Sequence, residues 1–321
     1  MNNVLNITNG DCAVEIMQKA DIPGVFLPWR DVLHDGPVPE DLTLEQLSAV
    51  RAQFISDQGW GESEFIKQSF IDRDNTLKSF ESYDKVILWF EHDLYDQLQI
   101  LQILDWFYTH NLSSHPLSII CVDQYLGRLS PDEILTLFEY EEPITESHLS
   151  LSSEAWSAFR STTPDNWFAL LKTDTSVLPF LQGAILRMLE EYPSCVNGLS
   201  RTAQHALNIV CEGEKYPGKI FARYQETEER MFLGDSSFWL ILNEMLVSSP
   251  ALLVLSEGKL LGLTVNPDDE LSISNAGIGV VSGKKNWLDI VELDKWIGGV
   301  HLTSTNIWCW DSKISSLVHK T

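Results

Sequence analysis

Short apolar runs alternate with helical hydrophobic spacing over about the first 130 residues of the chain. The runs are rich in β-branched and aromatic residues and lack polar alternation, which is typical of strands buried on both faces of a parallel sheet. They predict strands at Val4–Thr8, Gly24–Leu27, Lys85–Phe90 and Leu117–Val122. The intervening segments predict helices at Asp11–Ala20, Thr43–Asp57, Asp93–Tyr108 and Ser130–Leu137. This order predicts an α/β fold whose N-terminal domain, residues 1–144, holds an open, mainly parallel, Rossmann-like sheet.

The pattern becomes purely helical after this domain. Apolar spacing predicts three helices, at His148–Phe159, Asp165–Leu171 and Val177–Glu191. No Gly/Ser-rich tract or low-complexity run separates them. Residues 145–195 are therefore predicted to form a helical connector rather than a flexible linker.

The last third of the chain places helices before strands. Helices are predicted at Ser200–Cys211, Gly218–Phe232 and Ser236–Val247, strands at Ala251–Leu255, Lys259–Val265 and Leu271–Ser274, and a last apolar stretch at Asn275–Gly283. Three helices followed by a two- or three-stranded wing predict a winged-helix-like α+β domain at 196–321. The tryptophans of its tail are expected to pack in a core or an interface, and His301 to be a hydrogen-bonded core histidine.

Charge and cysteine content narrow the classes of function. The formal net charge is −24, and residues 1–150 hold 26 Asp and Glu against 8 Lys and Arg, a net charge of −18. Because nonspecific duplex binding neutralises phosphates, this half is a poor candidate for nucleic-acid contact, and the question stays open only for the C-terminal domain. Five scattered cysteines and the lack of an apolar span or a signal sequence predict a cytoplasmic protein without membrane contact.

Polar residues follow each of the four predicted strands. They are Asn9, Gly10 and Asp11 after the first strand, Arg30, His34 and Asp35 after the second, Glu91, His92 and Asp93 after the third, and Asp123 after the fourth. Ligands of open parallel sheets bind outside the carboxyl ends of the strands. We therefore expect these ten residues to converge on one ligand-binding edge.

Glu91-His92-Asp93 is the most specific of these segments. Asp93 is placed to cap the following helix, which leaves Glu91 and His92 unexplained. A histidine between carboxylates is expected to have a raised pKa and to serve as a general acid or base, with Glu91 or Asp93, or Asp96 one turn later, orienting it. His34 is a further catalytic candidate. The alternative is a divalent metal site that also uses His34 and Asp35, although no HExxH-type spacing supports it, and the cofactor stays unknown.

The other segments have structural alternatives of equal weight. Arg30 could clamp a phosphate or carboxylate, or could brace its own loop through Asp31 or Asp35. Asn9-Gly10-Asp11 could hold an anion at a helix N-terminus, or could be a glycine turn with Asp11 as the N-cap. Neither a dinucleotide fingerprint, a P-loop nor a nucleophile elbow is present.

The segments NITNGD, LPWRDVLHDGPVP, LWFEHDLYDQLQ and NGLSRT and the ending WIGGVHL resemble a bacterial family catalogued as domain of unknown function eighteen thirty-five. The resemblance covers nearly the whole chain. It implies a cytosolic bacterial protein whose defining loops are these segments, and it implies no activity, cofactor or catalytic residue.

Three hypotheses follow for the function. The first is an enzyme or binding protein for a small ligand, either phosphate-bearing and nucleotide-like or neutral or cationic, with histidine-based hydrolase or transferase chemistry. The second is a ligand-sensing regulator, although the predicted recognition helix Ser236–Val247 contains no Lys or Arg. The third is an interaction protein whose acidic face meets a basic partner and whose Trp-rich tail meets another subunit of a homo-oligomer, with the winged-helix-like domain as an interaction module. We rank the ligand-binding α/β protein first.

Overall fold

The computed structural model describes residues 3–110, 115–258 and 260–320. These residues fall into two units, Met1–Ile185 and Leu186–Thr321. The first is mixed α/β around a single sheet, and the second combines helices with small antiparallel sheets. None of the described helices combines the length and the apolar character that crossing a bilayer requires.

The sheet of the N-terminal unit has five strands. They are β1 (Val4–Thr8), β2 (Val25–Pro28), β3 (Lys85–Phe90), β4 (Leu117–Cys121) and β5 (Glu142–Pro143). Their order is β2-β1-β3-β4-β5; the first four are parallel and β5 is antiparallel to β4. The four predicted parallel strands are confirmed. The two residues of β5 are too few to show a pattern, and this strand was not predicted.

Eight helices surround or follow the sheet in the described part of this region. They are α1 (Asp11–Lys19), α2 (Leu44–Asp57), α3 (Ser63–Lys78), α4 (Leu94–Thr109), α5 (Pro131–Thr136), α6 (Glu146–Arg160), α7 (Asp165–Ala169) and α8 (Leu181–Leu189), the last containing the boundary between the units. Helix α3 was not predicted. Its buried face includes Arg73 and Asp74 while Phe65 is exposed, so its hydrophobic pattern is broken.

The sheet is covered on both faces. Residues of α1 and α5 pack against one face in a core cluster that includes Met17, Ile87, Trp89, Ile120 and Ile134. Helices α3 and α4 contact β2 and β3, and α6 packs on α4. Helix α4 is consequently buried along most of its surface, including Gln97, Gln99 and Gln102.

Buried arginines fix the loop that follows β2. Arg51 of α2 and Asp31 of the loop are both fully buried, and Arg51 Nε donates to Asp31 Oδ1 at 2.9 Å. The same guanidinium donates to the backbone oxygens of Val32, Asp35 and Pro37. A buried guanidinium with four acceptors repays its desolvation through directed hydrogen bonds. The hydrogen bonds from Arg51 of α2 therefore hold the loop in one conformation.

Gly36 is the position of this loop where the backbone requires glycine. Its φ is +72°, and a Cβ atom there would lie 2.6 Å from the Phe54 ring of α2. Any side chain would push the loop away from α2, so the tight turn depends on this residue.

The C-terminal unit contains helices α9 (Arg201–Cys211), α10 (Pro217–Gln225), α11 (Asp235–Val247) and α12 (Asn275–Val281). Its strands form antiparallel pairs: β6 (Leu253–Leu255) with β7 (Leu271–Ile273), β8 (Asp294–Ile297) with β9 (Val300–Thr303), and β10 (Ile307–Asp311) with β11 (Ser316–Lys320). The three predicted helices preceding a strand pair are present.

One strand prediction for this unit is wrong. Lys259, the first residue of the predicted strand Lys259–Val265, lies outside the described residues, and residues 260–265 form no strand. Asn243 of α11 instead holds this segment, because its side chain both accepts from the Leu261 N–H and donates to the Leu261 oxygen. The apolar stretch from Asn275 is a helix capped by Ser274.

His301 is not a core histidine. It lies opposite Trp296 in the β8–β9 ladder, and the two rings stack with centroids 4.4 Å apart. Its side chain is 40% exposed, and Nε2 lies 2.6 Å from Asp294 Oδ1. Trp308 and His319 repeat this cross-strand stacking between β10 and β11. Trp296 and Trp308 therefore pack within hairpins, where aromatic cross-strand pairs stabilise the ladder.

We expect Arg51→Met to lower the free energy of unfolding by about 3–5 kcal/mol, because it leaves the buried Asp31 with only the more distant Arg73, at 3.8 Å. Urea denaturation followed by circular dichroism measures the change. Lys19→Met is the control: Lys19 pairs with Glu15 on the surface of α1, so its loss should change stability by less than about 0.5 kcal/mol. A loss below about 1 kcal/mol for Arg51→Met would contradict the structural role of this pair.

Candidate functional site

The crevice of the sheet lies between β1 and β3. The chain adds β2 on one side of β1 and then crosses to add β3 on the other side, so the strand order switches direction at this point. In open α/β sheets the loops after the two central strands diverge here and leave room for a ligand. Asn9 follows β1 and Glu91 follows β3, and both therefore lie at the switch point.

Asn9 joins the two sides of this crevice. Its Nδ2 donates to Glu91 Oε1 at 2.9 Å and to Asp96 Oδ2 at 3.0 Å. Glu91 Oε1 also accepts from the Leu126 N–H, on the loop after β4, at 2.8 Å. We call Asn9, Glu91, Asp93 and Asp96 the carboxyl-edge cluster. Side chains that follow β1 and β3 and a backbone N–H that follows β4 thus meet at one point, as the parallel sheet predicts.

The first turn of α4 positions the other two carboxylates. Asp93 is the N-cap of α4 and accepts from the Asp96 N–H through Oδ1, which confirms its predicted capping role. Asp96 Oδ1 accepts from the backbone N–H of Glu91 at 2.7 Å. Asp96 therefore fixes the backbone of Glu91, whereas the sequence suggested that it orients His92.

Burial controls the protonation of the cluster. The pKa of Glu91 is raised by desolvation, which the hydrogen bond from Asn9 partly offsets. Burial and then the charge of Glu91 raise the pKa of Asp93 to about 8, and burial likewise raises the pKa of Asp96 well above its ordinary value. Asp93 and Glu91 also share a side-chain hydrogen bond. The three carboxyl groups therefore retain protons between them near neutral pH.

Among the described residues, Glu91, Asp93 and Asp96 form the group that could hold a metal ion, since each offers one oxygen and these atoms lie within 4.8 Å of one another. Such oxygens suit Mg²⁺ or Ca²⁺. Protein N–H groups nevertheless already donate to one oxygen of Glu91, one of Asp93 and both of Asp96. These hydrogen bonds and the raised pKa values favour protons over a cation as the occupants of the cluster.

His92 lies beside the cluster in an aromatic setting. The residue is only 8% exposed. Its ring centroid lies 5.0 Å from that of Tyr125 and 5.9 Å from that of Phe180. The imidazole is thereby held by packing at the end of β3, next to the crevice.

Tyr95 connects the loop after β2 to the cluster, and sequence reasoning missed it. Its hydroxyl donates to the Asn9 backbone oxygen at 3.4 Å, and its ring meets the His34 ring edge-on at 5.8 Å. Burial raises the pKa of its hydroxyl. The available signal was its position two residues after the helix cap Asp93, where a long side chain turns back over the strand ends.

His34 and Asp35 lie on the loop that Arg51 fixes. His34 is buried, and its Nε2 lies 3.5 Å from Asp35 Oδ2. The Asp35 backbone oxygen accepts from Arg51. The loop therefore presents His34 to Tyr95, while neither His34 nor Asp35 belongs to the described group of carboxylates that could bind a metal.

Arg30 pairs with Asp11. Two hydrogen bonds of 2.8 and 2.5 Å join its guanidinium to the Asp11 carboxylate, and both side chains are about half exposed. This hydrogen-bonded pairing lowers the pKa of Asp11. The alternative that Arg30 binds Asp31 or Asp35 is therefore wrong, and Asp11 is not the cap of α1, since Gly10 occupies the N-cap position.

Asp123 lies apart from these contacts. It is exposed on the loop after β4 and makes no hydrogen bond or ion pair within the described ranges. This loop contributes the backbone N–H of Leu126 to the cluster instead. A backbone donor cannot be recognised from the type of side chain in the sequence.

No family model matches this chain, and no curated protein is similar to it. Its membership of the bacterial family suggested by the loop sequences stays a prediction.

The raised pKa of Asp93 predicts a pH-dependent stability. Between its ordinary value of 3.8 and about 8, the folded protein binds more protons than the unfolded chain. The free energy of unfolding should therefore fall as the pH rises through this range, and Asp93→Asn, which keeps a capping side chain, should flatten the slope. Urea denaturation at several pH values measures the free energy of unfolding and its slope with pH.

Asp132→Asn is the control for this experiment, because Asp132 is an exposed carboxylate in the first turn of α5. Its slope should match that of the unchanged protein. An Asp93→Asn slope equal to that of the unchanged protein would show that Asp93 does not carry the raised pKa.

Proposed function

We propose that the N-terminal unit is a Rossmann-like domain that binds a small molecule at the carboxyl ends of its parallel strands and transfers protons to or from it. The observation that supports this proposal is the position of Asn9, whose amide bonds Glu91 and Asp96 across the point where the strand order switches. Asp93 caps α4 and Asp96 accepts from the Glu91 N–H, so the buried Glu91 carboxyl beside them is the group that helix capping does not explain.

Proton transfer suits the electrostatics of the cluster. A carboxylic acid with a pKa of about 8, such as Asp93, keeps its proton at neutral pH and can donate it to a leaving group. Glu91 shares a hydrogen bond with Asp93 and can receive or pass the proton. His92, packed beside them, is the second acid–base group. The reaction class is a hydrolase or transferase reaction that needs one proton donor and one acceptor.

The charges at this edge favour a neutral or cationic ligand over a phosphate-bearing one. Arg30, the cation expected to hold an anion, is already bound in bidentate fashion by Asp11. Glu91, Asp93 and Asp96 add acidic groups at the switch point. A phosphate would have to displace Asp11 and approach these carboxyls, both of which cost free energy.

A thermal-shift screen tests this preference. We expect neutral and cationic compounds such as amino sugars and polyols to raise the melting temperature, because binding to the folded state stabilises it by mass action, and nucleotides to leave it unchanged. The screen includes Mg²⁺ and Ca²⁺ separately. Stabilisation by nucleotides alone would contradict the proposed ligand charge.

His92→Ala and Glu91→Gln should abolish the ligand-induced shift or the turnover of the identified ligand, with circular dichroism showing that both variants stay folded. Glu15→Gln, an exposed change on α1, is the control and should behave like the unchanged protein. If ligand binding and turnover both survive the His92 and Glu91 changes, the assigned site is wrong.

The second candidate function belongs to the C-terminal unit, which we propose to be a winged-helix-like module that contacts protein. Helix α11 stands where a recognition helix would, yet it carries no Lys or Arg, and its one amide side chain, Asn243, binds the Leu261 backbone. A DNA-reading helix offers free basic and amide groups. A cytoplasmic location is part of the same proposal, and the free thiols of all five cysteines agree with a reducing compartment.

We expect fluorescence anisotropy with labelled duplex DNA at low ionic strength to show no salt-dependent binding, because α11 neutralises no phosphates. Binding that weakens steeply with added salt would replace the protein-contact proposal with a DNA-binding regulator.

A further inference from the structure

A cavity of about 720 Å³ lies within the N-terminal unit at the C-terminal half of α4, away from the cluster at the N-terminus of that helix. We propose that it is a second small-molecule site and that it takes an uncharged aromatic compound carrying a hydrogen-bond acceptor at its edge. The walls come from the start of α2, the end of α3 and the segment after it, α4 and α6. This proposal does not rest on the carboxyl-edge cluster.

The volume of the cavity and its aromatic walls indicate the size and the chemical type of the ligand. Phe80, Trp106 and Trp156 line the cavity and are each less than 9% exposed. Phe80 and Trp106 meet edge-on with centroids 5.8 Å apart, which fixes both rings. Ligand pockets are typically about 300–1,000 Å³ and are lined by aromatic side chains with a few polar groups. A flat aromatic compound gains edge and face contacts from such walls.

Gln102 supplies the polar group that selects an acceptor. It lines the cavity and is 3% exposed, and its Oε1 accepts from the Trp29 indole N–H at 2.8 Å. Because an indole N–H only donates, this bond fixes the orientation of the amide. Its Nε2 has no hydrogen-bond partner within the described part of the chain. A buried donor in this state is unfavourable, and a carbonyl or ring nitrogen of a ligand would satisfy it.

The cationic groups of the walls, Lys78 and Arg160, are already paired, and Glu81 adds a carboxylate, which together disfavour an anionic ligand. Lys78 binds Glu45 in an ion pair. Arg160 donates to the backbone oxygens of Pro39 and Leu42, and the Asp105 carboxylate accepts from Ser153 Oγ. An anionic ligand would therefore lose its hydration without gaining a free counter-charge.

Saturation-transfer NMR and equilibrium dialysis on the full chain test this site with two uncharged probes, nicotinamide and indole-3-carboxamide. Nicotinate, which carries a carboxylate in place of the amide of nicotinamide, is the charged control. We expect both carboxamides to bind and nicotinate to bind at least tenfold more weakly. Absence of carboxamide binding at millimolar concentration, or equal binding of nicotinate, overturns the proposal.

Two variants locate the binding. Thr109→Trp fills the cavity from an exposed position whose hydroxyl bonds only within its own helix end, and it should abolish binding. Thr136→Trp is the matched control, since Thr136 is an exposed α5 threonine with the same type of bond to the carbonyl three residues earlier, and it should bind normally. Gln102→Met should weaken binding about tenfold with the fold retained by circular dichroism. Unchanged binding by Thr109→Trp places the probes elsewhere and overturns the proposal.

Discussion

The burial of α4 between the sheet and α6 is the constraint on which the N-terminal unit depends. A helix covered on both sides must find partners for every polar side chain it carries. Three glutamines of α4 hold the loops at the sheet edge. Gln97 donates to the backbone oxygen of Glu91, and Gln99 donates to the backbone oxygen of Asp31. Gln102 accepts from the indole N–H of Trp29. These buried, hydrogen-bonded glutamines therefore also fix the positions of the loops that follow β2 and β3.

Electrostatics then divides this unit into two kinds of buried charge. Asp31 is paired with Arg51, whose Nε lies 2.9 Å from Asp31 Oδ1, and this pair holds the loop after β2. Burial raises the pKa values of Glu91, Asp93 and Asp96, and the N–H groups that donate to them offset this rise only in part. Perturbed carboxyl groups at a strand-order switch are the arrangement that acid–base sites use. This contrast, rather than acidity alone, distinguishes the candidate site from the scaffold beside it.

Local pattern was sufficient to predict the parallel strands, α4 and its cap Asp93, because each depends on neighbours in sequence. It failed where long-range contacts decide. The buried face of helix α3 contains Arg73 and Asp74, which breaks its hydrophobic pattern. Arg30 pairs with Asp11 rather than with the carboxylates nearer to it in sequence. In the segment 260–265, Leu261 is bound by Asn243 rather than by a neighbouring strand. At the site, the sequence indicated Asn9 and Glu91 but not Tyr95 or the Leu126 N–H, whose roles arise only when three strand ends meet.

The short strand β5 has a consequence for self-association. It pairs with Ser118 and Ile119 and so occupies part of the outer edge of β4, where exposed backbone groups would otherwise template another strand. The opposite edge strand, β2, ends in Pro28, which has no N–H to offer. Both margins of the sheet thus resist extension by a neighbouring chain. The partly covered β4 and the proline at the end of β2 leave fewer backbone groups free to pair with a strand of another chain, which disfavours sheet-to-sheet aggregation.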